Sequence, residues 1–436
     1  MRLRRLPEML KTVLPLAGSA LLAASVWIWV QDISIPRQEA KAREHGIPRG
    51  NLSDLYPRWL GARELLLHGR DPYRDDITRE IQTGYYGRPI DANRPNDPRD
   101  QQAFAYPLYV VFVLAPSVGL PFPIVQRGFL WLLVGLTGTS VLFWLHALRW
   151  RTSLTAKLCW VILVLGCFPA VQAFKLQQLT LLVAALMAAC IAAIIDGQFV
   201  VAGILFALAT IKPQLVALPA IWMSIWALGD WRRRRSLFWS MAASMAVLFI
   251  GSEALLPGWI REFCAATSAY YRYTGGGQSL LDVALTTTTG GRILSTILAA
   301  VLMVLLWRVR RESEGSTNFQ WSLAAVLGTT LVIIPMFAPY NQVLLVPCIM
   351  LMVKKVRSIW GANRLSRFFF AVTAASIAWP WTATFGLSIA LLLLPIGTLQ
   401  RAWWLPFTTT LMIPISLLAL ILVSRGPITS EGTRPQ

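Results

Sequence analysis

Apolar runs separated by short basic turns fill most of this chain, and one long polar interval breaks the pattern near the start. The first run, Val13–Val30, gives way to a charged stretch over residues 32–103. A shorter apolar piece, Phe104–Leu120, is broken by Pro107, Pro116 and Pro121. Further runs read as 126–148, 158–174, 178–195, 198–211, 213–229, 236–256, 292–308, 321–338, 342–353, 367–383, 384–399 and 403–424. A helix needs roughly 20 apolar residues to cross about 30 Å of hydrocarbon. The pattern therefore predicts an all-α polytopic membrane protein with about 11–13 transmembrane helices. Several runs fall short of that length, which predicts tilted, broken or re-entrant helices. The chain divides into a first span (1–31), a polar loop (32–125), a transmembrane core (126–256), a second polar loop (257–291), C-terminal helices (292–424) and a tail (425–436). In the first loop, Ser53 or Asn51 can cap a helix from about Asp54 to His68, ended by Gly69. Leu55, Trp59, Ala62 and Leu66 share one face of it; Asp54, Arg58, Gly61 and Leu65 share another. Such a helix is expected to lie on the bilayer surface with its aromatic face down.

Composition agrees with a membrane protein: 56% of residues are hydrophobic and 14% charged, with mean hydropathy +0.55. A soluble domain carries roughly a quarter charged residues. The net charge of +19 would suggest nucleic acid in a soluble protein. Here the bases sit in turns between apolar runs, the positive-inside signature, so no nucleic-acid partner is expected. Arg2, Arg4 and Arg5 precede an apolar run as in a signal peptide, but Val13–Val30 is long for one. No small-x-small site follows before Asp32, and an uncleaved span with a cytoplasmic N-terminus is expected. Arg149, Arg151 and Lys157, then Arg232–Arg235, Arg308–Arg311 and Lys354–Arg357, belong on the cytoplasmic side. That assignment holds only if Phe104–Leu120 does not cross. The polar loop, the turn at Lys175–Gln178, the break at Lys212–Pro213, the loop Pro257–Arg292 and the turn Ala338–Gln342 then share the outer face of the membrane. Cys159, Cys167, Cys190, Cys264 and Cys348 lie mostly in apolar segments without metal-ligand spacing. They read as buried small hydrophobes, with no disulfide framework.

Charge distribution adds the candidate chemistry. Of 21 Asp and Glu, 12 lie between Asp32 and Asp100, together with 12 of the 40 Lys and Arg. That interval is neutral; elsewhere 28 bases face 9 acids. Acids concentrated in one outer loop suit proton transfer at a membrane surface. For Asp54, in a first helical turn, the plainer reading is structural, since an Asp there suits the helix dipole and can pair with Arg58; catalysis is the alternative. Arg58 and Arg63, taken singly, read as surface charges. Lys212 differs, because a Lys before Pro between two apolar runs is functional by default. The proline frees backbone groups, as in broken helices that line polar cavities, and a cation there suits a lipid phosphate. The bland alternative is snorkelling to the headgroups, which is the better reading for Lys175. Gln177 and Gln178 could bond sugar hydroxyls, and Asp75–Asp76 could bind a cation, though hydrated surface acids are commoner. His45, His68 and His146 show no zinc spacing, and no Walker, GxGxxG or GxSxG motif is present. Gly275–Gly277 lacks the context of a phosphate loop. Tyr270, Tyr271 and Tyr273, with Arg272, could stack on a sugar; interfacial anchoring is the plainer reading.

The order of these features resembles a known family. Asp54-Leu-Tyr-Pro-Arg-Trp-Leu-Gly-Ala-Arg63, Gly69-Arg-Asp-Pro-Tyr73 and Phe104-Ala-Tyr-Pro-Leu108 are similar to the first outer loop of the polyprenol-phosphate-sugar-using glycosyltransferases of family 87. Gln178, Ala202-Gly203 and Ile211-Lys212-Pro213 resemble its second signature, and Pro339-Tyr340-Asn341-Gln342 its third. The likeness runs over about residues 10–350. It implies the GT-C architecture and an inverting membrane enzyme, a hexosyltransferase with mannose as the expected sugar. In such enzymes the acid at the start of the first outer-loop helix is the general base, the place of Asp54 here. Lys212, with Arg63 or another base, would hold the lipid phosphate, and Gln178, Arg58, Tyr106 and Asn341 fall in or beside the matching motifs. The expected partners are membrane lipids, a polyprenyl-phosphate sugar donor and a lipid-linked or envelope glycan acceptor. The resemblance implies no metal and no cofactor. Many members carry His in the third motif, where this chain has Asn341 and Gln342. Two other classes fit parts of the pattern. A transporter or flippase would show internal repeats and midplane charges, and a non-catalytic scaffold would tolerate Asp54→Asn.

Overall fold

A computed structural model describes residues 8–47, 53–91, 93–274, 277–335 and 337–424. Asn51, Gly275, the Arg2–Arg5 cluster and the tail at 425–436 lie outside these residues. The first apolar run folds as α1 (Glu8–Ile28), passes through a π-helical turn at Trp29–Ser34 and continues as α2 (Ile35–Glu44). The sequence pattern ends this span at residue 31, but the helix runs on to Glu44. Packing explains the difference: Trp29 is fully buried, with Phe168 5.5 Å and Phe407 5.7 Å away between ring centroids. That cluster holds the backbone helical through the π turn.

The rest of the first polar loop contributes α3 (Leu55–His68), α4 (Asp75–Tyr86) and α5 (Val110–Leu114). At 1.5 Å per residue, α5 is about 7–8 Å long, far too short to cross a bilayer. It leads through a 3-10 turn, Ala115–Ser117, into α6 (Phe122–Ala147). There follow α7 (Leu154–Leu165), α8 (Phe168–Lys175), α9 (Thr180–Ile195), α10 (Phe199–Ala209), α11 (Pro213–Gly229) and α12 (Trp231–Leu255). The second polar loop holds α13 (Trp259–Tyr273) and α14 (Leu280–Ala284). The C-terminal part comprises α15 (Thr288–Val309), α16 (Thr317–Ile333), a 3-10 segment Pro339–Leu345 entering α17 (Val346–Lys354), α18 (Val356–Ala362), α19 (Arg364–Ala390), α20 (Ile396–Arg401) and α21 (Met412–Ser424). No strand occurs among the described residues, so the fold is all-α.

Six of these helical stretches are long and apolar enough to cross a membrane, and α7 with α8, bent by 53°, would make a seventh. The apolar helices α9, α10, α11 and Pro339–Lys354 are shorter. The larger span number expected from the sequence counts these short helices too. Two boundaries also differ. The runs at 367–383 and 384–399 were expected as separate spans, but Arg364–Ala390 is one helix with Pro380 in its interior. The run at 403–424 becomes a regular helix only at Met412.

Short apolar helices sit where the core is deepest. Most of α9 is buried, between α6 and α10. Helix α10 lies so close to α12 that a Cβ on Gly203 would fall 2.0 Å from Ser240 Oγ and 2.6 Å from the Leu237 carbonyl. Such small-residue contacts are how membrane helices approach closely. Outward-facing apolar side chains, Trp131 (72% exposed) on α6 and Val247 (70%) on α12, form a surface suited to lipid.

The basic turns gather at one end of this bundle. Arg234 donates to the carbonyls of Trp226 (2.8 Å), Arg310 (2.9 Å) and Glu312 (2.8 Å). Lys354 donates to the Leu148 carbonyl, which also accepts from Gln320 at 3.3 Å. Helices α9, α11 and α16 run between this end and the other, where the site lies.

Candidate active site

Asp54 occupies the N-cap position of α3. Its N–H donates to the Leu176 carbonyl at 2.9 Å, tying the start of the loop helix to the end of α8. Ser53, expected as a cap, makes no side-chain bond to the helix, and its hydroxyl is buried without a partner. At the other end Gly69 is left-handed (φ 66°), Gly69 N–H reaches the Leu65 carbonyl and Arg70 N–H the Glu64 carbonyl. This αL cap ends the helix where the sequence predicted. The face of the helix expected to meet lipid packs on protein instead. Leu55, Trp59, Ala62 and Leu65 are buried, and a Cβ on Gly61 would lie 2.4 Å from the Phe104 ring. The Gly61 face packs on the following motif, so both sides of α3 touch protein and Asp54 is fixed from several directions.

Three breaks in the apolar helices supply its neighbours. Between α8 and α9, Gln177 takes a left-handed φ of 45°, and its side-chain amide donates to the Phe174 carbonyl at 2.7 Å. A non-glycine residue in that region carries strain that its surroundings must hold. The turn carries Gln178 into the site. Between α10 and α11, Lys212 leaves the helical region (φ −121°, ψ 79°), which a following proline disfavours, and Pro213 opens the next helix. The Tyr109 hydroxyl donates to the Thr210 carbonyl at 3.0 Å, satisfying one group freed by the break. Between α16 and α17, the 3-10 segment Pro339–Leu345 brings in Tyr340 and Asn341.

These residues line a cavity of about 380 Å³. Within it runs one hydrogen-bonded chain. Tyr85 donates to Asp54 Oδ1 at 3.3 Å, and Gln178 Nε2 donates to Asp54 Oδ2. Lys212 Nζ donates to Gln178 Oε1 at 2.7 Å and to Thr180 Oγ1 at 2.8 Å, and Thr180 donates to Asn341 Oδ1 at 3.0 Å. Gln178 thus stands between carboxylate and ammonium, giving its N–H to one and its carbonyl to the other. Arg58 donates to the Asp54 backbone carbonyl, and its guanidinium carbon lies 4.5 Å from the Tyr106 ring centroid. Lys212 Nζ is 5.8 Å from the same centroid and 5.2 Å from that of Tyr340. Among the described residues neither cation forms an ion pair with a carboxylate. Burial alone would lower the proton affinity of Arg58, but Tyr106 and Asp54 outweigh it and hold the guanidinium charged. Burial, then the charge of Asp54, raises the Tyr85 hydroxyl well above its ordinary range, keeping it a donor to that carboxylate.

Of the residues singled out in the sequence, Asp54, Arg58, Tyr106, Gln178, Lys212 and Asn341 all border this cavity. Arg63 does not; its guanidinium lies 5.4 Å from the Trp59 ring, and Arg58 is the second cation. Gln178 bonds Asp54 and Lys212, while Gln177 turns to a backbone carbonyl. Lys175 bonds Gln38. The Asp75–Asp76 pair is not a cation site: Arg70 bonds Asp76 at 3.1 Å, with Arg74 beside it. No group of three or more His, Cys, Asp and Glu that could hold a metal occurs among the described residues. Tyr270 and Tyr271 line the cavity, so the stacking alternative fits them better than interfacial anchoring. Cys264 is exposed rather than buried.

Sequence reasoning missed Asp100, along with Tyr85, Gln102 and Thr180. Asp100 lines the cavity and accepts the Gln102 N–H at 3.0 Å and the Gln102 side-chain amide at 2.9 Å, holding Gln102 at a left-handed φ of 53°. Burial raises its carboxyl above the ordinary range. Its position four residues before the Phe104 motif was the available signal.

No curated protein and no solved structure matches this chain. The profile of glycosyltransferase family 87 matches residues 104–335, which include Tyr106, Gln178 and Lys212. A match over more than half the chain, on a multi-helix membrane fold with these residues in one cavity, shows that this protein belongs to glycosyltransferase family 87.

Proposed function

We propose that this membrane glycosyltransferase moves a sugar, mannose first among candidates, from a polyprenyl phosphate to a glycan acceptor with inversion, and that Asp54 is its general base. The observation that carries the reading is a fixed carboxylate in one cavity with two cations, neither of which forms a direct ion pair among the described residues. Asp54 helps hold Arg58 charged without bonding its guanidinium through the carboxylate, so Arg58 and Lys212 can turn their donors to an anionic ligand. A lipid phosphate is such a ligand. Gln178 keeps Lys212 from being neutralised by Asp54, which leaves one group free for a proton and the other for a phosphate.

The reaction follows. Asp54 takes the proton from an acceptor hydroxyl as that oxygen bonds to the anomeric carbon of the donor sugar. The bond from that carbon to the phosphate oxygen breaks, and its electron pair leaves with the polyprenyl phosphate. Arg58 and Lys212 stabilise the charge that develops there. The leaving phosphate is already a stable anion and needs no general acid. The cations serve where other transferases employ a metal, and no metal requirement is proposed. The site is assigned to the extracytoplasmic face of a bacterial inner membrane, because the basic turns gather at the other end of the bundle.

Purified protein in nanodiscs tests this with labelled polyprenyl-phosphate mannose, glucose and arabinofuranose and extracted envelope lipids as acceptors. Wild type should transfer one of them regardless of chelator. Asp54→Asn should lose activity by about 10²–10⁴-fold while still inserting and folding. Equal transfer by wild type and Asp54→Asn would sink the assignment of the base.

A further inference from the structure

Helix α7 is poorly covered for a member of this bundle: only Val164 of its 12 residues is buried. A groove of about 290 Å³ runs beside it, walled by Trp160, Leu163 and Val164 of α7, Ile349 and Met352 of α17, and Ile377 of α19. Gln342 and Trp381 also line it, but their N–H groups are engaged. Gln342 donates to the Thr410 carbonyl at 2.6 Å and Trp381 to the Gly166 carbonyl at 3.1 Å. An apolar space of this kind stays dry, so hydrocarbon is what fills it in a membrane. Nearer the basic end, a second hollow of about 510 Å³ lies between α7 and the start of α1. Trp160 and Leu163 line this one too, so the two spaces adjoin. Its remaining wall is polar, with Lys11 and Thr12 of α1 and Ser153 and Thr155 at the opening of α7. Lys157, on the next turn of α7, is exposed.

We infer that these adjoining spaces bind one phospholipid with an anionic headgroup, taken from the leaflet on the side of the basic turns. An acyl chain fills the groove, and the phosphate meets Lys11 and the hydroxyls of Ser153 and Thr155. Length argues for such a lipid. From Ser153 to Cys167, which lines the far part of the groove, the chain rises by about 21 Å at 1.5 Å per residue. Half a bilayer with its headgroup region is about 20–22 Å thick. Charge argues for an anion, since bases gathered at one membrane surface attract acidic headgroups. A polyprenyl phosphate held at Lys212 would carry its phosphate to the opposite end of the bundle. The groove also lies behind the catalytic elements. Gln342 follows Asn341 in the 3-10 segment, and Phe168 and Pro169 on the groove wall open α8. The residue after α8, Leu176, holds the Asp54 N–H. A chain seated there steadies both elements from behind.

Native mass spectrometry tests this on the detergent-purified protein, offered equal amounts of dioleoyl phosphatidylglycerol and dioleoyl phosphatidylcholine, with thermal unfolding as the second readout. Wild type should retain one phosphatidylglycerol at least fivefold over phosphatidylcholine, and its Tm should rise with that lipid. Ala378→Trp, on the exposed rim of the groove, should retain at least fivefold less phosphatidylglycerol and lose the rise in Tm. Lys11→Gln should lose the preference for phosphatidylglycerol. Both variants should bind undecaprenyl phosphate within twofold of wild type. Should Ala378→Trp not fold, Ala374→Phe on the same wall supplies a milder block. Equal retention of the two phospholipids by wild type would overturn the inference, as would variants that retain phosphatidylglycerol as wild type does. Loss of undecaprenyl phosphate binding in folded Ala378→Trp would assign the groove to the donor's chain and overturn it as well.

Discussion

Lys212 shows what a single residue can and cannot reveal. Its type and place, before a proline between apolar runs, marked it as expensive and therefore functional. Its partners were not readable, because Gln178 and Thr180 reach it only through the packing of α9 against the break. Replacing Lys212 by Met should weaken undecaprenyl phosphate binding by about 10–150-fold, the equivalent of roughly 1.5–3 kcal/mol for a hydrogen bond to a charged group. Isothermal titration in nanodiscs would check it, and a change below threefold would remove Lys212 from the phosphate site. A second residue-scale prediction concerns Asp97. Hydrogen bonding to Arg88, one contact at 2.8 Å, holds its carboxyl at about 2, below the ordinary 3.8. A lowered carboxyl stabilises the fold above its unfolded value and loses that contribution as pH falls through the folded one. Amide protection over residues 88–100, measured relative to the intrinsic exchange rate at each pH, should therefore be steady above pH 3.8 and fall toward about 2. In Asp97→Asn the protection should be lower throughout and lack that acid step.

At the scale of elements, α3 is the instructive case. Its boundaries and its ending at Gly69 follow from local signals, an acid at the N-cap and a left-handed glycine. Its environment does not, since amphipathic spacing cannot distinguish lipid from protein as the partner of an apolar face. Gly61 decides it, by allowing the Phe104 ring within 2.4 Å of where a Cβ would sit. Phe104 is fully buried and has little room to yield. Gly61→Ala should cost about 1–3 kcal/mol of loop stability and lower transfer by displacing Asp54. A thermal shift in detergent equal to that of wild type, with unchanged kcat, would show that the contact relaxes freely.

For the whole molecule, the turns that carry Gln178, Lys212 and Asn341 meet the polar loop at one end, and the basic turns meet at the other. Charge counting along the sequence arrives at this grouping without any coordinates. Sidedness is the corresponding prediction: in a cysteine-free background, Asp91→Cys should react with an impermeant maleimide added to intact cells, and Arg357→Cys only after lysis. The opposite pattern would reverse the orientation of the protein.

The sequence by itself determined the all-α membrane class and the family motifs, and grouped the basic turns apart from the polar ones. These depend on hydropathy, on charge and on short runs of residues, all of them local or additive along the chain. Tertiary structure alone decided that Arg58 rather than Arg63 joins Lys212, that Gln178 separates acid from base, and that Asp100 and Tyr270 belong to the site. It also decided that Tyr85 and Gln178 hold the two oxygens of Asp54. Each of those facts is a distance between residues remote in sequence, fixed by which helices pack together, and no periodicity along one helix encodes it.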